Sequence, residues 1–274
     1  MDNIPIPELT YASPNDPKIK VALIKSIERL TGQRKLQRLY HQVLRETDGN
    51  HSFWSSVLGQ LDVDLVFDEG KLHHIPQDGP LIFIANHPYG FIDGIAICHL
   101  ANLVRPNFKI LINNALCKED RIAHYLLPID FDETKEAVQT NIHSKREALR
   151  LLKNNGAIVI FPAGGIATSQ GLFGKVTDLE WKLFTAKLIQ MTQATVIPIY
   201  FHGHNGRLFQ IVSQFSLTLR LSLIIHEVKK QIGETLHLTI GEPIPYKDLS
   251  SIKRRHDLID HLRAVIYDLP NRYH

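Results

Sequence analysis

Short apolar runs alternate with helical stretches from residue 61 onward, and this alternation limits the fold more than any other feature. The apolar runs lie at residues 63–67, 81–85, 109–112, 157–161, 195–201 and 236–240. The helical stretches lie at residues 94–104, 133–153, 178–191 and 246–267. Strands joined by helical crossovers are typical of a largely parallel sheet. We therefore predict an α/β fold with a mostly parallel, twisted sheet flanked by helices.

The N-terminal region has a different character. Three prolines within residues 1–16 favour an extended arm, and residues 17–46 have a helical, amphipathic pattern. Residues 17–46 carry eight Lys or Arg against two Glu, a net charge of +6. The apolar stripes of these helices either pack on the domain or lie on anionic lipid, and both alternatives stay open. We predict two parts, an N-terminal arm with basic amphipathic helices at residues 1–60 and the α/β domain at residues 61–274.

Composition excludes several classes of protein. The chain of 274 residues has a net charge of +3, which is too small to indicate a nucleic-acid-binding protein. Its two cysteines, Cys98 and Cys117, form no disulfide framework and favour a reducing compartment. We expect neither a signal peptide nor a membrane-spanning helix, because no apolar run reaches the length of about 18 residues that a span needs.

The most informative segment joins the second apolar run to the next helix. A buried strand is predicted to end at Asn86 and His87, a turn with Gly90 follows, and a helix begins near Asp93. Functional sites in open α/β sheets cluster at the carboxyl ends of strands. A carboxylate here can orient an imidazole, whose other nitrogen then takes a proton from a substrate hydroxyl. Alternatively, Asp93 only begins a helix, where the helix dipole favours a negative charge.

Two further strands end in unusual segments. Residues 157–160 run into Phe161, Pro162, Ala163, Gly164 and Gly165, where small residues allow a ligand to approach backbone N–H groups. A plain strand-ending turn explains this segment equally well. We call residues 161–167 the glycine block.

Pro198 interrupts the apolar run at residues 195–201, and His202 follows that run. Because proline is excluded from the middle of a sheet, this strand is predicted to be an edge strand, to carry a bulge or to form a pocket wall. The histidines at positions 73, 74, 202 and 204 have no Cys or carboxylate at metal-ligand spacing, so we predict no metal site.

In this order and at these separations, the segments resemble the glycerolipid acyltransferase family, whose members are similar to 1-acylglycerol-3-phosphate acyltransferases. The resemblance covers about residues 60–245, and the phrases NHPYGFIDG, FPAGG and PIYFHGHNGRLFQ are most similar to a bacterial branch described as hemolysin-like or ornithine-lipid acyltransferases. It implies an acyltransferase domain at residues 61–274, with His87 as general base and Asp93 orienting it. It also implies acceptor or oxyanion binding by a further set of residues, namely Asn86, Gly90, Phe161, Pro162, Ala163, Gly164 and Gly165. Pro198 and His202 are predicted to form a pocket wall.

The chain departs from the family pattern in two places. Five residues instead of four separate His87 from Asp93, and we expect the turn at Gly90 to absorb the extra residue. In the glycine block, Ala163 replaces a glutamate, and Gly165 and Ile166 replace a threonine and an arginine. The family links that glutamate and arginine to the acceptor phosphate. We therefore predict an acceptor other than lysophosphatidate, such as an aminoacyl lipid or an unusual lysolipid. Another cation could substitute for the missing arginine, and the candidates are Lys118, Arg121 and Arg207.

The resemblance also implies the partners of the reaction. The acyl donor would be a thioester of coenzyme A or of acyl carrier protein, the acceptor a lysolipid, and no cofactor would be required. We expect a peripheral protein on the cytoplasmic face of an anionic membrane. Two alternatives remain, a lipid ester or thioester hydrolase and a non-catalytic lipid-binding module. The hydrolase lacks support because the chain has no Gly-x-Ser-x-Gly elbow.

Overall fold

The structure is a computed structural model that describes residues 52–114, 117, 120–132, 134–171, 174–215 and 217–272, together with Val21. The predicted N-terminal arm and basic helices therefore lie almost entirely outside the described residues, and so does Lys118. No helix in the described ranges is both long and apolar enough to cross a membrane.

A seven-stranded sheet forms the centre of the described domain. Its strand order is β1-β9-β8-β2-β5-β3-β4, and every neighbouring pair is parallel except β8 with β9. The strands are β1 (Asp64–Val66), β2 (Leu81–Ala85), β3 (Phe108–Asn113), β4 (Leu126–Ile129), β5 (Ala157–Ile160), β8 (Thr195–Phe201) and β9 (Thr235–Ile240), and a separate antiparallel pair contains β6 (Thr168–Ser169) and β7 (Val176–Thr177). The predicted mostly parallel α/β fold is confirmed.

Helices cover both faces of this sheet. The helices are α1 (Phe53–Gln60), α2 (Phe91–Val104), α3 (Lys135–Lys153), α4 (Leu183–Thr192), α5 (Arg207–Ser213), α6 (Leu217–Lys230), α7 (Tyr246–Leu249) and α8 (Arg255–Arg272). Side chains from α1, α2 and α6 join the hydrophobic core on one face, and side chains from α3, α4 and α8 join the core on the other.

The residues of β2 alternate between these two cores. Leu81 and Phe83 pack on the side of α2, whereas Ile82 and Ile84 pack on the side of α8. All five residues of the strand are fully buried. A parallel strand buried on both faces needs a continuous apolar sequence, which is why the sequence predicts this strand.

Two predicted helices have wrong boundaries. The helix predicted at 178–191 begins only at Leu183, because tertiary hydrogen bonds hold the preceding residues in another conformation. In particular, the N–H of Lys182 donates to the carbonyl of Pro162. The helix predicted at 246–267 is two helices, and Ser250 lies between them with its hydroxyl donating to the carbonyl of Lys247. Such side-chain bonds to nearby backbone compete with helix continuation.

Pro198 lies in an interior strand, so the prediction of an edge strand is wrong. Strand β8 pairs with β2 on one side and with β9 on the other. On the β9 side, Ile199 pairs with Ile240, whereas Val196 pairs with Ile244, so the pairing register shifts by one residue between these two points. Pro198, whose nitrogen has no hydrogen to donate, lies at this bulge, and its carbonyl accepts from the N–H of Gly241 at 2.8 Å. The structure therefore contains the predicted bulge, and the pocket-wall alternative stays a prediction.

We expect Phe201→Ala to destabilise the domain strongly. Phe201 is fully buried at the end of β8, and truncating a buried phenylalanine costs about 3–5 kcal/mol. Phe215→Ala is the matched control, because that side chain is 76% exposed and its truncation removes little buried area. Chemical denaturation of both variants measures the difference, and equal midpoints would contradict the assignment of Phe201 to the core.

Candidate active site

The carboxyl ends of three neighbouring strands meet at one edge of the sheet. Strand β2 lies between β5 and β8 and runs parallel to both. The chain therefore brings His87, which follows β2, close to Phe161, which follows β5. The two rings are stacked, with centroids 3.9 Å apart and an interplanar angle of 25°. This edge is where open α/β sheets bind their ligands.

His87 and Asp93 lie side by side at this edge. His87 Nδ1 is 3.2 Å from Asp93 Oδ1, and the Asp93 side chain is fully buried whereas that of His87 is 16% exposed. Within the described ranges, no hydrogen bond of good geometry reaches His87 Nδ1, so this close contact is not a well-directed hydrogen bond. Catalytic hydrogen bonds often tighten only when substrate binds.

Asp93 also stabilises the turn before α2. Its carboxylate accepts from the backbone N–H of Tyr89 and from that of Gly94, each at 2.9 Å. The carboxylate thus has the local role expected of an acidic residue in a first helical turn, and it also faces the imidazole. The two interpretations of Asp93 do not exclude each other in this geometry.

Gly90 makes the longer His–Asp spacing possible. Its φ angle of +93° lies in the region that glycine adopts freely and other residues avoid. A Cβ at this position would also lie 2.5 Å from Ile166 Cδ1 in the glycine block. The extra residue between His87 and Asp93 is therefore accommodated by a turn that has no room for a side chain.

The backbone of His87 is held from two directions. Its N–H donates to Asp178 Oδ1 at 3.0 Å, and its carbonyl accepts from the N–H of Ala167 at 2.7 Å. Asp178 is buried, and its other oxygen accepts from Trp181 Nε1 at 2.9 Å. Burial raises the pKa of the Asp178 carboxyl, and the hydrogen bonds from His87 and Trp181 oppose that rise. Sequence reasoning missed Asp178, because an aspartate on the loop before a helix carries no distinctive pattern.

The glycine block forms a tight turn beside His87. The N–H of Gly164 donates to the carbonyl of Phe161 at 3.0 Å, which leaves Gly165 as the better candidate for an oxyanion donor. Pro162 is buried, and its carbonyl accepts from Lys182. The side chain of Ala163 is also buried and belongs to the core on the α4 side, so this position presents nothing to a ligand.

Asn86, Pro198 and His202 connect the strands at this edge. The amide of Asn86 donates to the carbonyl of Phe201 at 2.9 Å and accepts from its N–H at 2.7 Å, which joins β2 to β8. Pro198 is buried within the sheet beside Ile84. His202 Nε2 lies 2.8 Å from Thr239 Oγ1, so its ring contacts β9. The three residues are adjacent to the site, and their roles in acceptor or oxyanion binding and as pocket wall stay predictions.

A cation that was not among those predicted contacts the glycine block. Arg121 and Arg207 are exposed, in the 3₁₀ segment Asp120–Tyr125 and at the start of α5. Arg220, from α6, instead donates from Nη2 to the carbonyl of Ile166 at 2.7 Å. The block itself carries no cation, as predicted, but one reaches it from another element. The available signal was a single arginine within the apolar sequence LTLRLSLII.

No metal centre is built from the residues that the structure describes. Among them, no group of three or more His, Cys, Asp or Glu side chains is placed to hold a metal ion.

Comparison with known proteins assigns the class of the chain. The sequence pattern of the family described as Acyltransferase matches residues 61–274, so the chain is an acyltransferase. It is 30% identical over 206 residues to a lyso-glycine lipid O-acyltransferase of Phocaeicola vulgatus, covering 72% of this chain and 71% of that protein. It is 27% identical over 206 residues to a protein of the same name from Bacteroides thetaiotaomicron, covering 72% and 73%. The chain belongs to the glycerolipid acyltransferase family.

Among solved structures, the chain is similar to the 1-acyl-sn-glycerophosphate acyltransferase PlsC from Thermotoga maritima. The sequence identity is 19%, the TM-score is 0.47, and the match covers 94% of this chain and 99% of the other.

We expect Gly90→Ala to destabilise the protein by about 1–3 kcal/mol, because alanine is strained at positive φ and its Cβ would displace Ile166. Gly94→Ala is the matched control, since it lies within α2 and its Cβ would meet no atom within 4 Å. Alanine at a helical position stabilises by up to about 1 kcal/mol relative to glycine. The urea midpoint should therefore fall in Gly90→Ala and rise in Gly94→Ala. Equal shifts in the two variants would contradict this explanation of the turn.

Proposed function

We propose that this acyltransferase moves a fatty acyl group from a thioester donor to the hydroxyl of a lysolipid that has an amino-acid head group. The observation that carries the proposal is the position of His87 at the end of β2, with Asp93 Oδ1 3.2 Å from its Nδ1 and the glycine block beside it. The names of the two relatives support a lysolipid acceptor.

In the proposed mechanism, His87 takes the proton of the acceptor hydroxyl on Nε2. Asp93, which faces Nδ1, holds the ring in the required tautomer and stabilises the imidazolium that forms. The hydroxyl oxygen attacks the thioester carbonyl directly, without an acyl-enzyme. The N–H of Gly165 is the proposed donor to the resulting oxyanion. When the intermediate collapses, the carbon–sulfur bond breaks, and His87 returns the proton to the thiolate.

The acceptor is proposed to be a lyso-glycine lipid or a related aminoacyl lipid. A glycine linked through its nitrogen presents one carboxylate, whereas lysophosphatidate presents a phosphate monoester. The glycine block has neither the glutamate nor the arginine of the usual family block, and the side chain of Ala163 is buried in the core. We therefore expect lysophosphatidate to be a poor acceptor. Acyl-CoA and acyl carrier protein both remain open as donors.

A direct assay tests this function. The protein is incubated with a radiolabelled acyl thioester and lyso-glycine lipid, and the products are separated. Transfer gives acylated lipid in equal amount to released thiol. Free fatty acid instead of acylated lipid would support the hydrolase alternative, and the absence of both products with either donor would support a binding module.

Substitutions at the candidate pair test the mechanism. His87→Ala is expected to lower the transfer rate by about 10²–10⁴-fold, because it removes the general base. Asp93→Asn is expected to lower kcat by about 10²-fold or more, because the imidazolium loses its stabilising anion. His74→Ala, an exposed histidine paired with Glu242, is the control and should keep the wild-type rate. A variant of His87 with half the wild-type rate would exclude the proposed role.

We further propose that the protein lies peripherally on an anionic membrane at its cytoplasmic face. The basic segment at residues 17–46 supports an electrostatic contribution. Two exposed apolar residues support a second contribution close to the site. Phe131 is 58% exposed, and a Cβ at position 164 would lie 3.7 Å from its Cζ. Leu179 is 45% exposed, and a Cβ at position 165 would lie 3.5 Å from its Cδ1.

The two contributions are expected to separate by their salt dependence. Removing residues 1–46 should weaken binding to vesicles that contain anionic lipid, most strongly at low salt, because salt screens surface charge within about 8 Å at physiological ionic strength. The double variant Phe131→Ser and Leu179→Ser should weaken binding by a similar factor at all salt concentrations. Vesicle flotation measures both, and unchanged binding in both cases would place the membrane contact elsewhere.

A further inference from the structure

Arg220 is the unusual group at the edge of the proposed active site. Its guanidinium donates to the carbonyl of Ile166, and a Cβ at position 165, where the chain has glycine, would lie 4.0 Å from Nη2. The next residue along the chain, Ala167, donates its N–H to the carbonyl of His87. Arg220 therefore contacts the same backbone segment that holds His87, the proposed general base.

The position of this guanidinium is fixed by packing. Arg220 Cζ lies 5.8 Å from the centre of the Phe209 ring, and Phe209 is fully buried. A cation over an aromatic face is attracted by the ring and is held in one orientation. The bond to Ile166 fixes one nitrogen, and a guanidinium has five N–H donors in a planar fork. Donors therefore remain for a ligand.

The described residues give this cation no carboxylate partner. The ion pairs among them do not include Arg220. Burial lowers the pKa of the Arg220 guanidinium, although the group stays charged at neutral pH. A partly buried charge without a counter-ion is unfavourable, and an anionic ligand would relieve that cost.

We propose that Arg220 binds the carboxylate of the acceptor's amino-acid head group and thereby selects this class of acceptor. The inference rests on the proposed function, since it places the acceptor hydroxyl at His87. A single guanidinium matches one carboxylate in charge and forms two parallel hydrogen bonds with it. A phosphate monoester carries two negative charges, and Arg220 would neutralise only one of them.

A purely structural role for Arg220 makes a different prediction. If the side chain only held the glycine block through Ile166, its loss would lower the rate with every acceptor by the same factor. If Arg220 binds the head group, its loss would raise KM, and only for acceptors that carry the carboxylate. The decisive comparison is therefore lyso-glycine lipid against its methyl ester, which keeps the acyl chain and hydroxyl and removes the charge.

The test compares the full-length wild-type protein with Arg220→Gln, which removes the charge and keeps an N–H donor for Ile166. The wild-type protein should have a KM for the acid about 10- to 100-fold below that for the methyl ester, as expected for a charge-assisted hydrogen bond. In Arg220→Gln, the KM for the acid should rise to that for the ester, while kcat and the KM for the ester change less than about twofold.

Arg105→Met is the matched control for losing a buried arginine. The guanidinium of Arg105 donates to the carbonyls of Pro76, Gly79 and Asn155, near the start of β2 and away from the site. This variant should lose thermal stability and keep the wild-type ratio of the two KM values.

Two results would overturn the assignment of Arg220. One is a wild-type protein that acylates the acid and the ester with equal KM, and this measurement needs no variant. The other is an Arg220→Gln variant in which the ratio of the two KM values is unchanged. Failure of the wild-type protein to acylate any lysolipid would instead contradict the proposed function, so the two failures are distinguishable.

Discussion

The parallel pairing of β2 with both β5 and β8 is the constraint on which the site depends. Because β2 is buried on both faces, its register with its neighbours is fixed by two hydrophobic cores at once. That register sets where the three strands end at the edge of the sheet. It thereby places His87, after β2, against Phe161, after β5, where the two rings stack. Asn86 fixes the same edge from the side of β8 by exchanging two hydrogen bonds with Phe201. The residues proposed for the chemistry directly follow these strands, in the turns that begin where the strands end.

The turn between His87 and Asp93 brings the two side chains of the proposed catalytic pair together. Positive φ at Gly90 returns the chain toward α2, and the buried carboxylate of Asp93 is held by two backbone N–H groups. A carboxylate fixed in this way is already oriented toward the imidazole before substrate arrives, which lowers the cost of reorganisation. The Asp93 carboxylate lies in the first turn of α2 and also faces the imidazole of His87. One group therefore contributes both to the fold and to the proposed mechanism.

The sequence predicted those parts of the fold that depend on local pattern. The strands at 81–85 and 195–201 have the predicted bounds, because continuous burial requires continuous apolar sequence. Strand β4 and helices α1, α5 and α6 were missed, since short or mixed segments acquire their structure from packing. Arg220 and Asp178 were missed for a related reason: they reach the glycine block and His87 across about 50 and 90 residues of chain, and only the tertiary fold brings them there. The hemolysin-like or ornithine-lipid branch and the site roles stay predictions.

In the proposed mechanism, Asp93 holds His87 with the proton on Nδ1, so that Nε2 is free to act as the base. Nitrogen-15 NMR of the imidazole, in protein labelled at histidine and assigned with His87→Ala, measures this tautomer directly. With the imidazole in its neutral form, we expect a protonated Nδ1 and an unprotonated Nε2 in the wild-type protein, and a loss of this preference in Asp93→Asn. A proton on Nε2 in the wild-type protein, or a tautomer that is the same in both proteins, would contradict the proposed mechanism.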